Sequence, residues 1–149
     1  MMVNIVTFII LFCLGHIVSA VAVYLNHRFV FHGRLGRLPV LRKLRKLHIK
    51  HHLHAYDDER NYYFEPLWVK MAFFIILALV SFINIAFSLG LLSFGLLYAY
   101  RHKSIHNEDK TSYFSVHHFY HHKVDSRVNY SGVYPSIDRI FGTFKNLKV

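Results

Sequence analysis

From Met71 to Tyr100 the chain carries no charged side chain, and an earlier apolar run extends from Ile5 to Leu25. A chain of 149 residues with two such blocks points to contact with lipid rather than to a soluble core. The apolar fraction of 54%, the aromatic fraction of 17% and a mean hydropathy of +0.27 agree with that reading. As a helix, Ile5 to Leu25 would be roughly 32 Å long, enough to cross a hydrocarbon layer of about 30 Å. A signal peptide is the rival, because Val18-Ser19-Ala20 resembles a cleavage site. It is disfavoured by the lack of a preceding positive region and by apolar sequence continuing past Ala20. The expectation is a retained transmembrane helix.

Charge gives the orientation. The net charge is +10, yet none of the 18 Lys and Arg residues precedes Arg28. Nucleic-acid binding is set aside, because long apolar runs interrupt the basic residues. Cations gathered on one side of apolar segments mark the cytoplasmic side. The N-terminus is therefore expected outside, with Arg28 and the C-terminus inside. One cysteine, Cys13, lies within the first apolar run, so no intramolecular disulfide and no Cys-based metal site can form. The length fits a single domain over residues 1–149.

Thirteen histidines are present, and ten fall into four clusters. His27 and His32 form H-x4-H; His48, His51 and His52 form H-x2-H-H; His102 and His106 form H-x3-H; His118, His121 and His122 repeat H-x2-H-H. Neutral imidazole is a common metal ligand, and spacings of three and four place ligands on one helical face. Ten such side chains suffice for two metal ions with four or five nitrogens each. His27 and His32 lie about 140° apart on an ideal helix, so they require a local unwinding, a helix end, or different metals. His16, His54 and His117 stand outside the clusters and are read as structural, with His16 hydrogen-bonding between helices or lining a substrate route. No catalytic residue beyond the ten histidines stands out.

The clusters also constrain topology. His48–His52 precede and His102–His106 follow the block Leu67–Tyr100, which is roughly 51 Å long as one helix. One site can draw on both groups only if the block crosses an even number of times. A tight hairpin turning between Asn84 and Gly90 is expected, with Lys70 snorkelling at one end. Gly33–His54 reads as an amphipathic interfacial helix, with Leu38, Leu41 and Leu44 on its apolar stripe and His48 and His52 continuing the row inward. Asn107–Lys110 reads as a turn, Thr111 or Ser112 as the cap of a helix carrying His118–His122, and Ile137–Phe144 as a short apolar-patterned piece. The fold class is an all-α integral membrane domain: one transmembrane helix, a transmembrane hairpin and a cytoplasmic helical cap.

With these motifs in this order, the chain resembles the fatty acid hydroxylase/sterol desaturase superfamily of membrane di-iron enzymes. The resemblance runs from about Tyr24 to Phe144. It rests on His27-Arg28-Phe29-Val30-Phe31-His32, His48-Ile49-Lys50-His51-His52, His102-x3-His106, His118-Phe119-Tyr120-His121-His122 and the closing segment Gly132–Thr143. The H-x4-H form is most similar to the fatty acid 2-hydroxylase branch. The resemblance implies ten metal ligands, His27, His32, His48, His51, His52, His102, His106, His118, His121 and His122, on two iron ions, which zinc can replace in a purified sample. It further implies O2 as oxidant, a lipid substrate from the bilayer, and electrons from a reductase through a separate ferredoxin or b-type cytochrome. The chain is short for such a family, and Ile137 stands where relatives often carry a bulky aromatic. Those departures imply a more open cavity or one completed by a second copy in a homo-oligomer.

The leading function is thus hydroxylation of a fatty acyl, sterol or carotenoid-type lipid, with desaturation as a variant of the same chemistry. A bis-histidine membrane haem protein is the non-enzymatic competitor, disfavoured because the clusters flank the apolar blocks. A metal transporter or store is weaker, since residues 71–100 offer few polar ligands for a path.

Overall fold

The computed structural model describes residues 4–56, 66–107 and 112–146. Described residues form helices and irregular segments, with no strand among them. Helix α1 is Ile5–Leu25 and runs into a π-helical turn, Asn26–Phe31. A 3₁₀ turn at Leu35–Arg37 precedes α2, Arg42–His54; α3 is Leu67–Ile83, α4 Ile85–Asn107, α5 Tyr113–Lys123 and α6 Pro135–Ile140. Contacts divide the chain into two compact units, Met1–Val21 with Phe64–Ala99, and Ala22–Tyr63 with Tyr100–Val149.

In the first unit, the expected hairpin forms at a single residue. Asn84 adopts an extended conformation, φ −157° and ψ 113°. Its Oδ1 accepts from Phe87 N at 2.9 Å, so the polar residue that interrupts the apolar block starts α4 as an N-cap. Ser88 Oγ donates to the Leu77 carbonyl at 2.9 Å, and Gly95 faces the Phe73 ring, which fixes α3 and α4 as antiparallel neighbours. Gly15 and Gly90 let α1 and α4 meet backbone to backbone; a Cβ on either would overlap the opposing carbonyl, Phe87 or Phe12. His16 makes an interhelical bond, Nδ1 to Ser93 Oγ at 2.8 Å, with its ring edge-on to Phe94. Large apolar side chains point outward, Phe82 and Ile83 being 87% and 86% exposed. A lipid surround leaves such side chains without a hydration penalty. Ile5–Phe31 is long and apolar enough to cross a membrane.

The second unit departs from the sequence expectation at one place. The amphipathic helix begins at Arg42, not near Gly33. Leu38 is extended, with ψ 141°, because Pro39 follows it and disfavours the α conformation in the preceding residue. Leu38 and Leu41 therefore lie outside α2, while Leu44, His48 and His52 lie on it. Ser112 caps α5, its side chain accepting from Ser115 N at 3.2 Å. Thr111, and the expected turn beyond Asn107, lie outside the described residues.

The C-terminal segment is locked by polar groups. Asn129, fully buried with φ +58°, donates from Nδ2 to the carbonyls of His117 and Lys145 and accepts from Lys145 N at 2.7 Å. Asparagine tolerates this left-handed conformation better than most side chains. Helix α6 opens with Pro135 in its first turn and is followed by Gly142 at φ +68°, the arrangement favoured at helix ends. The expected piece Ile137–Phe144 is thus half helix and half cap.

Candidate metal centre

The ten clustered histidines converge as two nests of five within the second unit. His27, His32, His48, His52 and His121 form the first; His51, His102, His106, His118 and His122 form the second. Within each nest the ligand nitrogens all lie within 4.8 Å of one another.

Local structure explains the sorting. His102 and His106 sit one α-helical turn apart on α4 and share the second nest. His27 and His32 share the first because the π turn closes an i→i+5 bond, His32 N to His27 O at 3.1 Å. The wider turn brings residues five apart toward the same side, which an α-helix would not do. Each H-x2-H-H triple divides. His48 and His52 join the first nest while His51 joins the second; His118 and His122 join the second while His121 joins the first. The nests share a wall, the His52 and His122 rings stacking at 4.0 Å with an interplanar angle of 17°.

The nitrogen geometry suits a cation. His102 and His118 Nε2 are 2.8 Å apart, and His106 Nε2 is 3.1 Å from each. In the first nest, His48 Nε2 lies 3.1 Å from His27 and 2.9 Å from His32, and His121 Nε2 lies 3.1 Å from His32. A neutral imidazole nitrogen either carries a proton or offers a lone pair. Three nitrogens in a closed triangle cannot all be matched as donor with acceptor, so protons alone leave one edge repulsive. A central cation accepts all three lone pairs. With metal–nitrogen distances of about 2.1 Å, adjacent ligands at right angles lie about 3.0 Å apart and tetrahedral ligands about 3.4 Å apart. Edges of 2.8–3.1 Å place these nitrogens close enough to share one cation.

Second contacts aim the rings. His121 Nδ1 donates to the Val128 carbonyl at 2.6 Å, and His27 Nδ1 donates to the Tyr130 carbonyl. A carbonyl only accepts, so Nδ1 carries the proton and Nε2 keeps its lone pair for the nest. Burial keeps the imidazoles neutral. It lowers His32 to about 3, with further lowering from His121 and Arg45, and His52 to about 2, with further lowering from neighbouring histidines. His121 falls to about 4, burial outweighing the hydrogen bond from its ring to Val128. His48, His118 and His122 are pushed down by burial and by the adjoining imidazoles.

Of the histidines read as structural, His117 is buried with Nε2 3.1 Å from Asp138 Oδ2, and neither His16 nor His54 belongs to a nest. Sequence reasoning missed Asp138. Its carboxylate is fully buried and accepts from Tyr130 N, Ser131 N, Thr143 Oγ1 and His117 Nε2. Burial pushes this carboxyl up, but those hydrogen bonds outweigh it and hold it below its ordinary value. The available signal was an acidic residue beside Ile137 and Ile140 in the apolar-patterned piece Ile137–Phe144.

The described residues form a helical protein with two adjoining nests of imidazole, each able to hold a metal ion. The fatty acid hydroxylase family model matches residues 12–143, and the chain belongs to that family. Comparison with curated proteins gives no match, and comparison with solved structures gives none. The family match spans all four histidine clusters and the closing segment, and identifies the chain as a membrane oxidoreductase of the lipid hydroxylase/desaturase type.

Proposed function

We propose that this protein is a di-iron monooxygenase that hydroxylates a C–H bond of a lipid, with the ten nest histidines as its metal ligands. The observation that carries the proposal is the pair of five-histidine nests in a chain of this family. Imidazole suits iron, zinc, copper and nickel alike. Five imidazoles in each nest exceed the four ligands that a structural zinc needs. Two irons would supply the activation of O2 that an unactivated C–H bond demands.

The chain's own groups supply the rest. His27 and His121 present lone pairs fixed by backbone carbonyls, and five of the ten rings, His27, His102, His106, His118 and His121, are buried. With α1 crossing the bilayer and the hairpin entering from the cytoplasmic side, the substrate is a fatty acyl, sterol or carotenoid-type chain arriving laterally from lipid. Electrons come from a separate reductase through a ferredoxin or b-type cytochrome. Among family branches, the H-x4-H spacing favours the 2-hydroxylase type.

Haem ligation fits the geometry poorly. Two axial nitrogens must stand on opposite faces of a porphyrin, about 4 Å apart with the flat ring between them. Here several nitrogens crowd within 3.1 Å of one another. The test is iron-loaded protein in detergent with a lipid panel, a chemical or enzymatic reductant and ¹⁸O2. A product hydroxyl carrying the label is expected, with about two irons per chain. An unlabelled double bond would assign desaturation instead, and a haem absorption band with no labelled product would overturn the oxidase.

A further inference from the structure

One buried carboxylate stands behind the first nest. Asp138 Oδ1 accepts from Tyr130 N–H at 2.8 Å and from the Thr143 hydroxyl at 2.8 Å; Oδ2 accepts from Ser131 N–H at 3.0 Å and His117 Nε2 at 3.1 Å. Four donors fill the acceptor sites of an ionised carboxylate. Ser131 N–H and the Tyr130 carbonyl belong to one peptide group, and that carbonyl holds the Nδ1–H of His27. A single planar unit therefore stands between carboxylate and imidazole, donor end on Asp138 and acceptor end on His27. A negative oxygen at the N–H end fixes the plane and strengthens the carbonyl as an acceptor.

We infer that Asp138 is a positioning residue for His27: through the Tyr130–Ser131 peptide it fixes the Nδ1–H tautomer and aims Nε2 into the first nest. A second chain of hydrogen bonds from the same carboxylate reaches Tyr24 and Arg28, on either side of His27 in sequence. Thr143 donates to Asp138, so it accepts from Tyr24 OH at 3.0 Å, and Tyr24 OH accepts from Arg28 NH1 at 2.9 Å. Donors run one way from Arg28 to Asp138, tying the end of α1 to α6. The consequence for metal affinity rests on the metal-centre reading; the tautomer is a property of the metal-free chain.

The test is ¹⁵N-histidine NMR of the full chain in detergent, metal-free and during zinc titration, with the His27 signal assigned by His27→Gln. Wild type should show a protonated Nδ1 and a bare Nε2 at His27. In Asp138→Asn, one carboxylate oxygen becomes a donor, so the tautomer should become mixed and first-nest zinc affinity should fall about tenfold. Thr143→Val removes one donor but leaves the peptide relay, so stability should drop while the His27 tautomer holds. A Thr143→Val variant that shifts the tautomer as far as Asp138→Asn would show a merely structural carboxylate and overturn the inference. So would an Nε2–H tautomer in wild type, or an unchanged tautomer in Asp138→Asn. Should that variant not fold, Asp138→Glu displaces the charge by one methylene, and an unchanged tautomer there overturns the inference equally. If wild type binds no zinc while the tautomer responds as stated, the metal-centre reading fails and the role of Asp138 stands.

Discussion

Neighbouring histidines 51 and 52 should govern different metals. The His51 ring lies 5.2 Å from His102, 4.8 Å from His106 and 4.8 Å from His122, all of the second nest. His52 lies 4.6 Å from His48, 4.8 Å from His32 and 4.9 Å from His121, all of the first. A four-ligand structural zinc site is worth about 10–16 kcal/mol, or about 3 kcal/mol per ligand. Loss of one imidazole should therefore weaken its own site by roughly two decades. The assay is cobalt titration of detergent-purified protein, read optically and by metal content, on His51→Ala, His52→Ala, His102→Ala and the two doubles containing His102→Ala. His51→Ala with His102→Ala strips one site, so the pair should be strongly non-additive. His52→Ala with His102→Ala damages both sites, and the effects should add to within about 0.5 kcal/mol plus any coupling through the His52–His122 stack. Equal non-additivity in both doubles would refute the division into nests.

Acid should destabilise the metal-free protein. His32, His52 and His121 sit at about 3, 2 and 4 when folded, against about 6.5 unfolded. Stability is full above pH 6.5 and falls as pH drops toward the folded values, because the unfolded chain then binds protons that the folded chain refuses. Each site contributes about 1.4 kcal/mol per pH unit, so denaturant midpoints at pH 5.5 and 7.5 should differ markedly, and equal midpoints would contradict the buried neutral nests. Gly15→Ala should weaken α1–α4 packing by about 1–3 kcal/mol, since its Cβ meets the Phe87 backbone, while leaving zinc affinity unchanged. Thermal melts with zinc titration check both halves. Asn129→Ala should lose more stability than Asn129→Gly, because Gly accepts φ +58° and Ala does not; the difference should be about 1 kcal/mol by urea unfolding.

The apolar runs made α1 and the hairpin legible, because lipid selects for unbroken hydrophobicity and Asn84 breaks it where a turn is needed. The awkward H-x4-H spacing left a local unwinding, a helix end or different metals open, and the π segment supplies the unwinding. The late start of α2 was readable too, from Pro39, but the leucine spacing masked it. What no single segment reveals is the splitting of the triples. His48, His51 and His52 lie on one broad face of α2, and whether His51 turns from its neighbours depends on where α4 and α5 place their own ligands. Asp138 was hidden for the same reason, since its four partners come from residues 117, 130, 131 and 143.

The exchange of middle residues has a thermodynamic consequence. Each nest takes a pair from the end of a long apolar helix (27 and 32, or 102 and 106), an i,i+4 pair from one cap helix, and the middle histidine of the other cap helix. Neither nest is complete unless both α2 and α5 are in place. A first metal, in either nest, must therefore clamp the already formed helices α2 and α5 together, and the second finds that restraint already in place. Two metals should bind with positive cooperativity, in the ordinary range of about 1–3 kcal/mol of coupling. Independent equal sites would put about half of the chains in the one-metal form at half saturation. A hundredfold coupling lowers that share to about a tenth. Native mass spectrometry at one equivalent of zinc per chain reads the populations directly. Metal-free and two-metal chains should dominate, and exchanging the middle ligands out with His51→Ala and His121→Ala should remove the cooperativity along with the affinity. A one-metal species holding half the population in wild type would mean that restraint by one metal does not help the other, and that the crossed ligands connect the nests in space without coupling them in energy.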